Sequence, residues 1–249
     1  MTTLGKLVCG QSDHAGNARV VLDQLKDTID KFAARGLRYL AEDFSEDAQC
    51  YGAFCARVVL ENACAALVGR LDIFRLLYLR EFQAQANYDY GLASNSGFKW
   101  TGDVIAKEQN SDMWGINHDA TKVSRALFSQ YTDHLHWSPA FIRTLDKIAE
   151  TEHPPGVFDQ IHSLAAGDFL GRIKGESKQL YSKLSKGVHW EFFLSTMVMD
   201  EATLKTAIRD CFELMSNLGL VSHFIPAAYH CLPADEAIEI YADFRRTLP

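Results

Sequence analysis

No C-x-x-C pair occurs anywhere in this sequence, which removes the closely spaced thiolates that most structural zinc sites use. The six cysteines, Cys9, Cys50, Cys55, Cys64, Cys211 and Cys231, stand apart, and three of them share one apolar stretch at spacings of five and nine. Free, buried thiols in a reducing cytoplasm are the expectation. An unbroken hydrophobic run is also missing. The most apolar stretch, AFCARVVLENACAALVGRLDIF, is interrupted by Arg57, Glu61, Arg70 and Asp72, so it falls short of the roughly 18 apolar residues that span a bilayer. It reads as a buried helix. The first residues, MTTLGKLVCGQSDHAGN, are polar and contain no apolar leader core. A cytoplasmic chain without a membrane partner is expected.

Excess positive charge is lacking as well. There are 25 Lys and Arg against 32 Asp and Glu, a formal charge of −7. A protein that coats duplex DNA usually carries the opposite sign, so any nucleic-acid contact is left to a local patch. Catalytic signatures are equally scarce. No P-loop, no G-x-G-x-x-G after a strand, no G-x-S-x-G elbow and no H-E-x-x-H are present. The segment from Glu150 to His153 runs straight into Pro154 and Pro155, which suits no di-iron helix pair. No cofactor and no metal are expected.

What the chain does contain is helical periodicity. Its 249 residues are 47% hydrophobic and 23% charged, enough for one sizeable core in an ordinary globular composition. From about Asn17 to Leu40, Leu22, Leu25, Ile29, Phe32 and Tyr39 form one stripe, opposite Asp23, Lys26, Asp27, Asp30 and Lys31. Asp43 and Glu46 occupy capping-box positions before a second helix. That helix runs from Ser45 to about Gln83, with a break expected near Gly69–Asp72. It is apolar on nearly every side around Arg57, so it belongs in the middle of a domain.

Residues 87–119, NYDYGLASNSGFKWTGDVIAKEQNSDMWGINHD, carry no helical stripe and read as an ordered loop or insertion with room for a short hairpin. Helix is expected again over Ala120–His134. Ser138 and Pro139 form an N-cap and N1 pair for the next helix, and Val157, Ile161 and Leu164 mark another. Asp200 caps a helix with Leu204, Ile208, Cys211 and Met215 on one face, and Pro233 opens the last. Strand signals are few. The expectation is one all-α domain over 1–249, a bundle of roughly seven to nine helices with the 87–119 insertion.

Two stretches could carry chemistry. In YSKLSKGVHWEFF, residues 181–193, Leu180, Leu184 and Val188 share a helical face, with Tyr181 and Ser185 on its edge. Lys183 and Lys186 share a second face, and His189 follows Lys186 by three residues. Lysines there could hold a phosphate while the imidazole moves a proton. From Arg172 to Lys186, Arg172, Lys174, Lys178, Lys183 and Lys186 face a single carboxylate, Glu176, a local charge of +4. This is either an ordinary solvated face or an attraction for phosphate. In CARVVLEN, Arg57 and Glu61 lie four apart on the most apolar helix. They form either a plain ion pair or a polar cluster turned toward His189.

His134 and His136, in HLHW, would point the same way only on an extended segment. Exposed loop histidines, or Trp137 anchoring a helix junction, account for them better than a metal. The remaining histidines, His118, His153, His162, His223 and His230 among them, show no pattern.

The R-x-x-x-E-N pattern of Arg57, Glu61 and Asn62 and the late Y-x-x-L-S-x-x-V-H segment ending at His189, behind a long first helix, resemble the HEPN superfamily. These helical domains are common in prokaryotic toxins and antiphage systems, and many are metal-independent ribonucleases. The resemblance covers residues 17–80 and 170–230. It implies His189 as the catalytic histidine, with Glu61 or Asn62 as the polar helper from another helix. The family places an arginine four to six residues before the histidine. Here Lys183 stands at that point, and a lysine lacks the planar two-pronged donor.

On this resemblance, Lys183, Lys186, Lys178, Arg57 and Asn62 would hold the substrate phosphate. The departure at Lys183 implies a degenerate site in a subunit that acts through a protein partner or a homodimer. A ribonuclease acting on RNA is the alternative. A third reading, independent of the family, is a helical small-molecule domain whose pocket is lined by the insertion with Trp100 and Trp114.

Overall fold

The computed structural model describes residues 2–11, 16–89, 91, 97–107, 112–117, 119–164, 168–190 and 199–249. The remaining positions, including His118 and the Glu191–Phe193 end of the basic motif, lie outside the described residues. The described residues form an all-α bundle with no named strand. Its helices are α1 (Leu4–Cys9), α2 (Arg19–Ala41), α3 (Glu46–Leu71), α4 (Ile73–Gln83), α5 (Gln130–Thr132), α6 (Ser138–Ala149), α7 (Asp159–His162), α8 (Phe169–His189), α9 (Glu201–Ser222) and α10 (Ala234–Arg246). The described count of ten exceeds seven to nine because α5 and α7 are single turns.

Helix α3 is the axle. Ser45 Oγ accepts from Ala48 N at 3.1 Å, and Glu46 and Asp47 sit in the first turn, where a carboxylate favours the positive end of the helix dipole. Ser45, rather than the expected Asp43, therefore makes the cap. Asp47 also accepts from Tyr39 Oη at 2.5 Å and Arg35 Nη2 at 3.1 Å, tying α3 to α2. With apolar residues on nearly every side, α3 packs against α1, α2, α4, α8 and α9. It is the one described helix long and apolar enough to cross a membrane, and 72% of its most apolar window is buried in the bundle. It ends at Leu71, and the expected break falls at Asp72 before α4.

At the start of the chain one element is unexpected and one expectation fails. The polar-looking N-terminus contains α1, whose Leu4, Leu7, Val8 and Cys9 are fully buried. Asp30, expected on the solvent face of α2, is buried instead. Its Oδ1 accepts from Gly5 N at 2.8 Å and from Thr2 Oγ1 at 2.7 Å. A carboxylate on α2 thus satisfies a free amide at the start of α1, a role that periodicity does not show.

The middle of the chain departs further. Residues 120–134 are not one helix. Ala120–Lys122 is a single 3-10 turn, and the backbone then runs extended, so that Leu127 N donates to Asp103 O and Phe128 N to Val104 O. These bonds tie the insertion to the chain that follows it. No hairpin forms among the described residues, which hold only isolated bridges at Thr101–Ile105 and Ile105–Phe128. Ser129 then caps α5.

The HLHW stretch is a π-helical turn, Asp133–Trp137, leading into α6. Ser138 is accordingly a helical residue, not the N-cap. Trp137 is fully buried, and its Nε1 donates to Leu127 O at 2.9 Å, so it does anchor the junction.

At the far end, Asp200 Oδ1 accepts from Thr203 N at 2.7 Å and caps α9. Between α9 and α10 lies a feature that no sequence pattern announced. Arg70 is completely buried. Its Nε donates to Tyr229 O at 3.0 Å, and Nη1 to Val8 O at 3.1 Å and Ser222 Oγ at 2.5 Å. Nη2 meets His223 Nδ1 at 3.2 Å and Cys231 Sγ at 3.4 Å. His223 Nε2 in turn donates to Leu7 O at 2.7 Å. One guanidinium so holds α1, α9 and the 223–233 segment together, with each of its five N–H groups partnered.

Candidate functional site

The site grows from the contact between α3 and α8. On α8, Phe169, Leu170, Ile173, Leu180 and Leu184 are buried, which leaves Tyr181 and Ser185 on the edge nearest α3. The two helices approach closely where Gly187 meets Ala53. A Cβ on Gly187 would stand 2.7 Å from that of Ala53 and 3.1 Å from Met199. Arg57 of α3 fills the next layer. Its Nε donates to Glu61 Oε1 at 3.0 Å, Nη1 to Ser185 Oγ at 2.9 Å and Nη2 to Tyr181 Oη at 3.0 Å. The guanidinium carbon also lies 4.7 Å from the Tyr181 ring centre, a cation–π distance. The Arg57 side chain is 16% exposed and that of Glu61 40%, so the pair bridges from the bundle interior to its surface.

The insertion completes the site. Trp100, in the turn Trp100–Val104, stacks on Tyr181 with centroids 4.2 Å apart and planes 11° from parallel. Beside this stack, α2, α3 and α4 enclose a cleft of about 670 Å³. Its apolar walls include Val21, Leu25, Leu76, Leu79 and Phe98, and its polar groups include Glu61, Asn62, Gln24 and Gln83. Asn62 Nδ2 donates to Val58 O at 2.8 Å, which leaves the amide oxygen to accept. A mostly apolar cavity of this size with a few convergent polar groups is how small-molecule sites are usually built.

The expected site residues divide among different places. Glu61 and Asn62 line the cleft, with Arg57 bonded beside them. Lys183 faces a separate cavity of about 320 Å³ with Asp210, Glu213 and Glu176. There, burial pushes the Asp210 carboxyl up, and Lys183 opposes the shift. Lys178 and Lys186 are exposed. Burial and then the charge of Lys178 hold the Lys174 ammonium below the usual lysine range.

His189 is exposed at the last position of α8, eight residues and about 12 Å of helical rise beyond Tyr181. It lines neither cavity. Within one chain, then, His189, Lys183 and Glu61 do not converge. The Arg57–Glu61 pair meets Tyr181 and Ser185 rather than turning toward His189. Trp114 is not in the cleft either. It packs edge-on against Tyr131 and His134, at 5.6 and 5.4 Å.

Among the described residues no group of three or more His, Cys, Asp or Glu is placed to hold a metal ion. In the sequence Tyr181 and Ser185 form a polar edge, four residues apart. That both bond to Arg57 depends on how α8 lies on α3, which no spacing along the chain carries. The fold and the site together define an all-α bundle with an aromatic-walled cleft. Compared with known proteins, the chain finds no significant match to a family model, a curated protein or a solved structure.

Proposed function

We propose that this chain is a helical ligand-binding protein whose cleft takes an amino-substituted heteroaromatic ring of about nucleobase size. The observation that carries the reading is the Trp100–Tyr181 stack, held by Arg57, at the wall of a cleft that also presents Glu61. A flat ligand gains from offset stacking and burial on such a wall. Among the described residues only Arg57 hydrogen bonds to the Glu61 carboxylate, which retains lone pairs for N–H donors of a ring edge. Asn62 and Gln24 supply further amide groups. The test is titration of the chain with a panel of free bases and nucleosides, read by tryptophan emission and calorimetry, beside Trp100→Ala and Glu61→Gln. Saturable binding weakened by both substitutions is expected. A panel without binding, or affinities unchanged in both variants, would sink the reading.

A second reading keeps the HEPN-like class, and one observation favours it. Arg57 bonds to Ser185, one helical turn before His189, so α3 brings an arginine to the edge of α8 where the motif itself has only lysines. In this reading the chain is a cytoplasmic subunit of a prokaryotic antiphage-defence or toxin–antitoxin assembly. It would act through a protein partner or a homodimer, with RNA cleavage by His189 as the active form. Metal-free RNA cleavage by the wild type, lost in a folded His189→Ala variant, is the result this reading requires.

A further inference from the structure

The turn that sends Trp100 toward the cleft shapes a third cavity, of about 660 Å³, lined by Arg75, Lys99, Thr101, Gly102, Asp103, Lys107, Lys122 and Ser124. It shares no lining residue with the cleft. Four cationic side chains face one carboxylate there, in a chain whose formal charge is −7. The carboxylate is already engaged. Arg75 Nε and Nη2 donate to the two oxygens of Asp103 at 3.0 and 2.9 Å, and Lys99 N donates to Oδ2 at 2.8 Å. Lys122 lies 3.4 Å from Asp119 in a pair that is largely exposed, which binds an ammonium only weakly. Among the described residues Lys99 and Lys107 form no ion pair.

The backbone is shaped to match. Gly102 has φ +124°, a conformation that side chains avoid, and the wall there carries no Cβ. The nearest atom to where one would stand is Lys107 Cε, at 3.6 Å, so the Lys107 chain folds over the bare turn. The Thr101 and Ser124 hydroxyls add neutral donors. Ser124 Oγ accepts from Ala126 N at 3.3 Å, which leaves its O–H free to donate. Clustered ammonium groups in a cavity focus the local field on an anion, and lysine binds phosphate as a point charge.

We propose that this cavity binds a phosphate group, either free inorganic phosphate or the phosphate of a small phosphorylated molecule. The site does not depend on what fills the cleft, and its test is kept separate. The intact chain is titrated calorimetrically at low salt with inorganic phosphate, pyrophosphate, a nucleoside and its monophosphate. The Lys99→Gln/Lys107→Gln double variant and Glu61→Gln are run alongside. The lysines are exposed, and circular dichroism checks that the variant is folded. One-to-one binding of phosphate or pyrophosphate is expected, weakened at least tenfold in the double variant and unchanged in Glu61→Gln. A monophosphate that binds tighter than inorganic phosphate, with that gain kept in Glu61→Gln and lost in the double variant, would identify the phosphorylated small molecule as the occupant, and affinities no higher than that of phosphate would identify the free anion. The proposal is overturned if no saturation appears up to tens of millimolar, or if the double variant binds like wild type.

Discussion

Arg57 Nη2 donates to Tyr181 Oη at 3.0 Å, joining residues 124 positions apart in the chain, and the same tyrosine ring supports Trp100. Arg57→Lys keeps the charge but cannot reach Glu61, Ser185 and Tyr181 together. The variant is expected to lose about 1–2 kcal/mol in urea unfolding. Its tryptophan emission should shift as the Trp100 stack loosens. Glu61→Gln removes only a half-exposed ion pair and should stay within about 0.5 kcal/mol of wild type.

Arg70 makes a harsher test. Arg70→Met leaves the Val8 and Tyr229 carbonyls without their donor and takes from His223 Nδ1 one of its two N–H partners, Leu232 N being the other. A loss of about 3–5 kcal/mol is expected, as for other broken buried networks. Thermal unfolding of the variant measures it. A loss under about 1 kcal/mol would show that the network can rearrange around the gap.

Acid should act through His223. Burial, then the positive charge of Arg70, hold its imidazole well below the usual histidine range. The native state therefore keeps the ring neutral while the unfolded chain protonates it near pH 6.5. Stability is full above that pH and falls as the pH drops below it, by up to about 1.4 kcal/mol per pH unit for one proton. His223→Gln is expected to be less stable at pH 7 but to lose less between pH 6.5 and 5. Unfolding curves of both proteins across that window decide the matter.

Thiol chemistry should sort the six cysteines. Burial pushes the Cys9 thiol up to about 12 and Cys55 to about 11, and it raises Cys64 and Cys211 as well. A thiol kept protonated and covered is a poor nucleophile. A disulfide reagent at pH 8 is expected to modify Cys50 and Cys231, the two partly exposed thiols, within minutes. The other four should react only on unfolding.

Gly187→Ala places a methyl group 2.7 Å from Ala53 Cβ. The gain in helix propensity is about 1 kcal/mol, and forcing α3 and α8 apart costs about 1–3 kcal/mol. A net loss of stability, with altered Trp100 emission, is the expected outcome. A stabilised variant would show that the helices separate freely.

The sequence by itself determined the helical class, the central burial of α3, the break at Asp72, the Asp200 cap and the Arg57–Glu61 pair. Each of these rests on spacing within one element, where a 3.6-residue period or an i, i+4 step fixes which residues are neighbours. Only the tertiary structure decided that Asp30 caps α1, that Arg70 ties three segments together, and that Trp100 lies on Tyr181. It also set Glu61 and Lys183 in different cavities, with His189 apart from both. Those relationships depend on where one helix crosses another and how far each is rotated about its axis. That geometry follows from packing the whole core at once, and no local pattern along the chain carries it.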